Sequence, residues 1–374
     1  MNLKQLRDEI DNIDDKLLEL LKQRMDLSDS VADYKIKNNL PVYNPEREKE
    51  ILNRLSEKYP EFQNETKLLF STIMEVSKAR QNNLMVNDTK LKKDILNALS
   101  DDFILPSDFK IACQGVEGAY SSIACKKSYP NASISYYQSF DDVFTAVDNE
   151  SCLFGLLPIE NSSAGTVTAV YDLMMKNKFY IYKSITSEIN HCLLVNKNSK
   201  IEDITDIYSH PQGIDQCSEF LKQNPKIKVH IYSNTAAAAE FVSKSGSDNF
   251  AAIASRECSE KYGLKILKSD IQNQAKNFTR FIVISKKMII TEEAKRISLC
   301  LSIPHVTGSL CKLMTKFALN QLNLTKLESR PIPEKPFEFM FFFEFDGKIK
   351  DEKTLNLICS LEKELDYFAF LGNY

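Results

Sequence analysis

Polar side chains interrupt the apolar face of a predicted helix near the start of this 374-residue chain. Arg24 stands in a row otherwise formed by Leu17 and Val31, and Lys35 lies three helical turns further along nearly the same face. A guanidinium carries a permanent positive charge, so its place on an apolar seam requires an anionic partner.

Three more polar residues follow the same pattern in the next two predicted helices. Arg47 lines up with Ile51 and Leu55, and Ser77 and Gln81 interrupt a further apolar row. Any one of them alone is better explained as a register-setting polar residue or as an arginine stem that reaches solvent. Five such residues together favour a functional site that binds an anion.

Three loops rich in small hydrogen-bonding residues form a second candidate site. They span 115–121, 160–165 and 209–212, and each follows a predicted strand. Ligands of α/β domains bind at loops beyond the strand ends, although glycine and serine mark ordinary turns as readily. The first loop is not a G-x-G-x-x-G fingerprint, so no nucleotide cofactor is predicted.

Composition excludes several classes of protein. The chain has 48 Lys+Arg against 51 Asp+Glu and 43% hydrophobic residues, which predicts folded domains without the basic surface that nucleic-acid binding needs. Nine cysteines without a C-x-x-C pair and four dispersed histidines predict buried thiols and no metal site. No long apolar run or signal-peptide core is present, so we expect a cytoplasmic protein that does not enter membranes.

The first 105 residues contain no glycine and carry apolar residues at seven-residue intervals. This spacing predicts one helix of about 35 residues that ends near Asn38-Asn39. A second helix should start with Asn44 as its cap and Pro45 in its first turn. A third is predicted over 65–84, followed by a charged, partly helical connector over 86–109. The two apolar rows are Leu3, Ile10, Leu17 and Val31, and Leu6, Ile13, Leu20, Leu27 and Tyr34.

From residue 110 short β-like runs alternate with helical ones, which predicts an α/β domain with a mostly parallel sheet. Residues 296–371 then predict the order βαββαβ of a ferredoxin-like domain. Within it, the aromatic run from Phe337 to Phe345 is interpreted as a buried strand. The strands before this last domain are predicted at 110–114, 133–138, 154–159, 179–185, 191–195, 206–209, 228–232, 251–254 and 279–285.

The helical segment resembles the all-helical chorismate mutase family. The resemblance is carried by Leu6-Arg7, Ile10-Asp11, Ile13-Asp14, Lys16-Leu17-Leu18, Leu20-Leu21, Arg24, Lys35 and Pro45-Glu46-Arg47-Glu48. It implies that three arginines bind the carboxylates of chorismate, that two residues approach the ether oxygen of the breaking bond, and that two more bind hydroxyl groups. These are, in that order, Arg7, Arg24 and Arg47, then Lys35 and Gln81, then Glu48 and Ser77.

The implied reaction is a pericyclic rearrangement to prephenate, which needs no nucleophile or metal, only a compact conformer and donors at the ether oxygen. Asn44 departs from the family, which often has Asp there, and the resemblance places this position among those that bind the substrate. Arg7 and Arg24 are about 25 Å apart along a straight helix, so both cannot touch one small substrate. If both act, a second chain must supply one of them, and the family likewise implies a dimer.

Residues 110–285 resemble the prephenate dehydratases, through the order of the three loops and the run Asn277-Phe278-Thr279-Arg280-Phe281. The resemblance implies that Thr279 donates to the leaving hydroxyl, that Arg280 lies near a carboxylate, and that several loop residues line the site. A buried turn is the preferred interpretation of His210. Ala119 departs from the family, which usually has Ser or Thr there. The implied loop residues are Glu160, Asn161, Gln216, Ser121 and Ser162.

Gly308-Ser309-Leu310 and Glu328-Ser329-Arg330-Pro331 resemble the phenylalanine-sensing motifs of ACT regulatory domains. Ser309 replaces the usual Ala. The resemblance implies that L-phenylalanine binds at a dimer interface and inhibits the enzyme.

Together these segments resemble the bifunctional chorismate mutase/prephenate dehydratases. The expected architecture is a multidomain chain with an all-α mutase domain over 1–90 and a linker over 91–109. A two-lobed α/β dehydratase domain of the periplasmic-binding-protein type then covers 110–286, and an α+β ferredoxin-like ACT domain covers 295–374. The expected ligands are chorismate, prephenate and L-phenylalanine, with no cofactor and no nucleic acid. Two alternatives stay open: a monofunctional dehydratase with a decayed mutase, and a non-catalytic sensor of aromatic acids.

Overall fold

The computed structural model describes residues 2–85, 89–100, 103–332 and 337–374. The chain divides into two compact units, one formed by Met1–Ser100 with Glu293–Asn373 and the other by Asp101–Glu292. Residues 86–88 and 101–102 of the predicted connector lie outside the described residues. Among the helices of the described ranges, none combines the length and apolarity needed to cross a membrane.

The first unit begins with four helices: α1 (Leu3–Lys37), α2 (Pro45–Ser56), α3 (Gln63–Leu84) and α4 (Lys90–Ser100). The predicted long first helix is confirmed, and so are its end at Asn38 and the cap of α2. There the Asn44 side chain accepts a 3.0 Å hydrogen bond from the backbone N–H of Arg47, and Pro45 takes the first turn. Both α1 and α2 pack against α3.

The apolar rows of α1 are largely exposed in the single chain. Ile10 is 55% exposed and Leu17 56%, whereas the buried residues of this helix are confined to its second half. A contiguous stripe of large apolar side chains is unfavourable in water, and the part of the chain that the structure describes leaves this seam uncovered.

The second unit consists of two lobes, each built on one sheet flanked by helices. The first lobe has β1 (Lys110–Gln114), α5 (Tyr120–Ser128), β2 (Ser133–Tyr137), α6 (Phe140–Asp148), β3 (Phe154–Asn161), β4 (Gly165–Thr166), α7 (Thr168–Lys176) and β5 (Tyr180–Glu188). The second lobe has β6 (Cys192–Val195), β7 (Asp206–Ser209), α8 (Pro211–Gln216), α9 (Ser218–Gln223), β8 (Lys228–Ile231), α10 (Thr235–Ser245), β9 (Phe250–Ala254), α11 (Arg256–Tyr262) and β10 (Lys265–Lys268). The chain then returns to the first lobe as β11 (Phe278–Ser285).

The expectation of a mostly parallel sheet is wrong, because both sheets are mixed. The first has the order β2-β1-β3-β11-β5, and β11 runs antiparallel to both of its neighbours. The second has the order β10-β6-β9-β7-β8, with β6 antiparallel to β9 and β10. A strand that re-enters a sheet from the opposite end must run against its neighbours, and local periodicity does not reveal this direction.

The chain then completes the first unit with β12 (Arg296–Ser302), α12 (Ser309–Leu319), β13 (Asn323–Pro331), β14 (Phe339–Asp346), α13 (Glu352–Glu364) and β15 (Phe368–Asn373). The predicted βαββαβ order is confirmed, and the antiparallel sheet has the order β13-β14-β12-β15. Helices α12 and α13 pack against α3. Phe337 was expected in the buried strand, but it precedes β14, has a positive φ of 65° and is 82% exposed, since the strand begins only at Phe339.

Candidate active sites

Four of the predicted residues of the helical site lie together between α1 and α3. An Nη1 group of Arg24 donates a hydrogen bond to Oγ of Ser77. The ammonium of Lys35 donates to Oε1 of Gln81 at 3.2 Å and to the carbonyl of Val42 at 2.7 Å. Burial lowers the pKa values of both Arg24 and Lys35. The result is a positively charged, partly desolvated pocket that suits an anion.

The amide of Gln81 has a fixed orientation. Because the ammonium of Lys35 can only donate, the atom that faces it must be the carbonyl oxygen Oε1. The amide nitrogen therefore points to Ser28, to which it donates at 3.0 Å. Gln81 thus holds the tip of Lys35 at a defined position.

Glu48 lies near this pocket but in an ion pair. Its Oε1 is 2.7 Å from Nζ of Lys78, a buried residue that the sequence interpretation did not single out. Lys78 follows Ser77 directly, so only its place in an apolar stretch of α3 could have drawn attention to it. The carboxylate of Glu48 raises the pKa of Lys35, opposing the dominant effect of burial.

The other three predicted residues lie outside the pocket of their own chain. Arg7 is exposed in the second turn of α1. Arg47 pairs with Glu50 on the exposed face of α2, at 2.6 Å. Asn44 serves as the cap of α2.

In the second unit a hydrogen-bond network centres on Asn161, at the end of β3. Its Oδ1 accepts hydrogen bonds from the backbone N–H groups of Ser163 and Ala164, at 3.0 and 2.8 Å. Backbone N–H groups can only donate, so this oxygen is identified and the amide nitrogen must point the other way. There it donates to Oγ1 of Thr279 at 2.9 Å and to Oδ1 of Asn277 at 2.8 Å.

This arrangement assigns the direction of the Thr279 hydroxyl. Its oxygen accepts from Asn161, so its own proton is free to donate elsewhere. Thr279 lines a cavity of about 430 Å³. Other residues of this lining include Ala119, Tyr120, Ser121, Asn161, His191, His210, Gln216 and Phe281.

Gln216 connects Asn161 to a histidine that the sequence interpretation missed. Gln216 donates from Nε2 to Oδ1 of Asn161 at 3.2 Å, which turns its Oε1 toward Nε2 of His191 at 2.9 Å. The His191 nitrogen must therefore carry a proton. Its other ring nitrogen lies 3.0 Å from the hydroxyl of Tyr120, and burial lowers the pKa of His191. A polar residue directly beside a buried strand was the available signal.

The remaining predicted residues of this unit have structural partners. Ser121 lines the cavity and donates to the carbonyl of Gln114 at 2.7 Å. Ser162 accepts from the backbone N–H of Phe278. Arg280 forms an ion pair with Glu160 at 3.0 Å, and neither is among the described residues that line the cavity.

His210 was expected in a buried turn, but it is partly exposed. It precedes Pro211 and caps α8, where its Nδ1 accepts from the backbone N–H of Gln212 at 3.3 Å. Because the β7–α8 loop faces the cavity, the ring lines that cavity and is not enclosed by packing.

The first predicted regulatory motif forms the start of α12. Gly308 has a φ of +86°, a region that L side chains rarely adopt, and Ser309 and Leu310 follow in the first turn. All three line a cavity of about 490 Å³. The second motif, residues 328–331, lies on the edge strand β13 and is not among the described residues of that lining.

Comparisons with known proteins match both units. The chorismate mutase type II family matches residues 6–82, and the prephenate dehydratase family matches residues 111–289. The bifunctional chorismate mutase/prephenate dehydratase of Buchnera aphidicola from Schizaphis graminum is 31% identical over 100% of this chain and 96% of its own length. Arogenate dehydratase/prephenate dehydratase 2 of Arabidopsis thaliana is 34% identical over 74% of this chain and 76% of its own length.

A solved structure also shares the fold. The prephenate dehydratase of Arthrobacter aurescens, solved in complex with L-Phe, has a TM-score of 0.66 and 24% identity. The similarity covers 71% of this chain and 89% of that one.

Proposed function

Because the chain belongs to the family of bifunctional chorismate mutase/prephenate dehydratases, it rearranges chorismate to prephenate and converts prephenate to phenylpyruvate, and we propose the following roles for its residues. These are two consecutive steps of phenylalanine biosynthesis. The hydrogen bond between Asn161 and Thr279 is the main support for the roles in the second step. The grouping of Arg24, Lys35 and Gln81 is the main support for the roles in the first step.

In the mutase step Arg24 binds a carboxylate of chorismate and holds the compact conformer. Lys35 donates to the ether oxygen, which gains negative charge as its bond to carbon breaks. Gln81 positions the ammonium through its carbonyl oxygen Oε1. Ser77 and Glu48 bind hydroxyl groups of the substrate. Since the rearrangement is unimolecular, restraint of the substrate and stabilisation of this charge are sufficient for catalysis.

In the dehydratase step the bond to the ring carboxylate breaks, its electron pair enters the ring, and the ring hydroxyl leaves as carbon dioxide is released. Thr279 donates its free proton in a hydrogen bond to the departing oxygen. Asn161 and Gln216 hold the threonine in this orientation, and His191 with Tyr120 fixes Gln216 in turn. Gain of ring aromaticity supplies most of the driving force.

We place Glu160, Arg280, Ser121 and Ser162 in supporting positions around the dehydratase site. The ion pair of Arg280 with Glu160 offers a guanidinium that a substrate carboxylate can attract. Ser121 adds a hydroxyl to the lining of the cavity. Ala119 also lines this cavity and offers no side-chain hydrogen bond where the family usually has Ser or Thr.

The mutase acts as a dimer in this proposal. The exposed apolar seam of α1 supports it, because a second copy would cover residues such as Ile10 and Leu17. Arg7 of one chain then reaches the site that contains Arg24 of the other. Arg47 lies on the exposed face of α2 and is free to turn toward the ligand.

Mixing two inactive variants tests this shared site. Arg7→Ala and Arg24→Ala should each abolish mutase turnover. In randomly mixed dimers half the dimers combine both variants, and each of those has one intact site, so about a quarter of the activity should return. No recovery on exchange of subunits would show that each chain builds its own site.

We place the binding site for L-phenylalanine at the first turn of α12. The backbone N–H groups there suit a carboxylate, and Gly308 leaves room for close approach. The L-Phe complex of the Arthrobacter enzyme supports this choice of ligand. Residues 328–331 lie on an exposed edge strand, where a second copy would complete the site.

Supplying chorismate to the purified full chain tests both activities in one assay. Phenylpyruvate should accumulate. Accumulation of prephenate alone would mean that the second site is inactive, and unconsumed chorismate would mean that the first one is.

A further inference from the structure

Five charged side chains form a continuous series in the first unit, with its middle buried and its two ends partly exposed. Lys78 lies between Glu48 of α2 and Glu75 of α3, with Nζ to Oε distances of 2.7 and 2.8 Å. The second carboxylate oxygen of Glu75 is 3.3 Å from Nζ of Lys316, on α12. Lys316 also contacts Glu364 of α13 at 2.5 Å. We call this series the charge ladder.

The ladder is far less solvated than a surface ion pair. The side chain of Glu75 is 3% exposed, that of Lys78 8% and that of Lys316 11%. Burial opposes the charge on Lys78, but Glu75 and Glu48 outweigh it and raise its pKa. A buried charge destabilises a protein unless an opposite charge lies beside it. The stability of each member of the ladder therefore depends on its neighbour in the series.

One end of the ladder is the carboxylate assigned to a substrate hydroxyl. Lys78 contacts Oε1 of Glu48, which leaves the other carboxylate oxygen available as an acceptor. The Lys78 ammonium also lies 5.0 Å from the ring centroid of Tyr43, which further restricts its position. The sequence resemblance gave no role to Lys78, Glu75 or Lys316.

We propose that Lys78 is a positioning residue for the mutase reaction and that Lys316, from the C-terminal segment, keeps it in place by neutralising Glu75. This inference rests on the role proposed for Glu48. Without Lys316, the charged Glu75 competes for Lys78 and draws its ammonium away from Glu48. The C-terminal segment then completes the mutase site electrostatically, although it contributes no group that touches chorismate.

A paired substitution in the full chain tests the proposal. Lys316→Met should raise the KM for chorismate about tenfold, because Glu75 then withdraws Lys78 from Glu48. The double variant Glu75→Gln with Lys316→Met should return the KM to within about twofold of wild type, since it removes the competing charge along with its partner. Lys316→Arg keeps the charge and should also retain activity.

Two controls make the result specific. Lys312→Met changes a lysine one turn earlier on α12, which takes part in none of the ion pairs found among the described residues, and should leave the KM unchanged. Dehydratase activity on supplied prephenate, measured in the same preparations, reports whether the second unit is intact. Lys78→Met should reproduce the KM defect, and Glu75→Gln should not repair it.

The outcomes separate the inference from the function it rests on. An unchanged KM in Lys316→Met overturns the proposed role of the charge ladder in the mutase reaction. A KM defect in Lys316→Met that Glu75→Gln fails to repair overturns it as well. Glu48→Gln without effect on the KM overturns the role of Glu48 in the proposed function. A large effect of Glu48→Gln together with an unaffected Lys78→Met leaves the mutase assignment standing and rejects Lys78 as a positioning residue.

Discussion

The amide nitrogen of Asn161 donates to the hydroxyl oxygen of Thr279 across 2.9 Å. The two residues are 118 positions apart and meet because β11 returns to pair with β3, with Thr279 opposite Asn161. Two backbone N–H groups fix the Asn161 amide, so the direction of the bond is determined. The Thr279 oxygen accepts this hydrogen bond, so its own proton remains available for a ligand.

Removal of the Thr279 hydroxyl should inactivate the dehydratase selectively. Thr279→Val keeps the shape but loses the donor, and kcat on supplied prephenate should fall by about 10²-fold or more. Thr279→Ser retains the donor and should keep most of the activity, while mutase turnover stays unchanged in both. A loss within about tenfold for valine would indicate that the hydroxyl is structural.

His191 should act through the proton on its Nε2. Glutamine can place an amide N–H near the same point, so His191→Gln should keep the hydrogen bond to Gln216. The kcat of His191→Gln should therefore be about tenfold higher than that of His191→Leu. The KM for prephenate should change less than kcat, because the network orients Thr279 more than it binds substrate. Equal activity of the two variants would refute a positioning role for this nitrogen.

Lys35 predicts the pH dependence of the mutase. Its positive charge, which stabilises the ether oxygen, is present only when the amine is protonated, and burial lowers its pKa. Activity should therefore be fully present below this lowered pKa and should fall as the pH rises through it, at a lower pH than for an exposed lysine with a pKa of about 10.4.

Lys35→Arg supplies the control for this profile. A guanidinium stays protonated to above about pH 12, so the alkaline decline should move out of the measured range even if the maximum rate is lower. Profiles of kcat/KM for chorismate in both proteins make the comparison. A decline at the same pH in both would assign it to another group.

Local sequence patterns were sufficient for the elements and for part of each site. The heptad rows predicted α1 as a single helix, and alternation of strands and helices predicted nine strands of the second unit. Arg24, Lys35, Ser77 and Gln81 were found because a polar residue on an apolar helical face is a local signal. Strand direction has no such local signal, since it depends on where β11 re-enters the sheet.

What the sequence could not predict depends on pairs that are distant along the chain. His191 acts through Gln216, and Lys78 acts through Glu48, so the role of His191 or Lys78 cannot be assigned from its own position in the sequence. The packing of α12 and α13 against α3 likewise has no local signature, although it places a C-terminal segment beside the mutase helices.

This packing changes how inhibition by L-phenylalanine should be tested. Deletion of the chain after residue 287 would remove α12 and α13 from α3, so it would disturb the mutase helices together with the sensing site. A single substitution at Gly308 avoids this problem. Its φ of +86° strains any residue with a Cβ atom, by about 1 kcal/mol or more, and the strain falls on the first turn of α12.

Gly308→Ala should therefore raise the L-phenylalanine concentration for half-maximal inhibition of the dehydratase at least about tenfold, with little change in kcat for prephenate. Gly263→Ala is a matched control, because Gly263 also has a positive φ, of 65°, and open space around its Cα, but it ends α11 in the second unit. This control should respond to phenylalanine like wild type. Inhibition curves on supplied prephenate measure both variants. Undiminished sensitivity in Gly308→Ala would place the sensing site elsewhere, since the substitution strains the backbone at that turn.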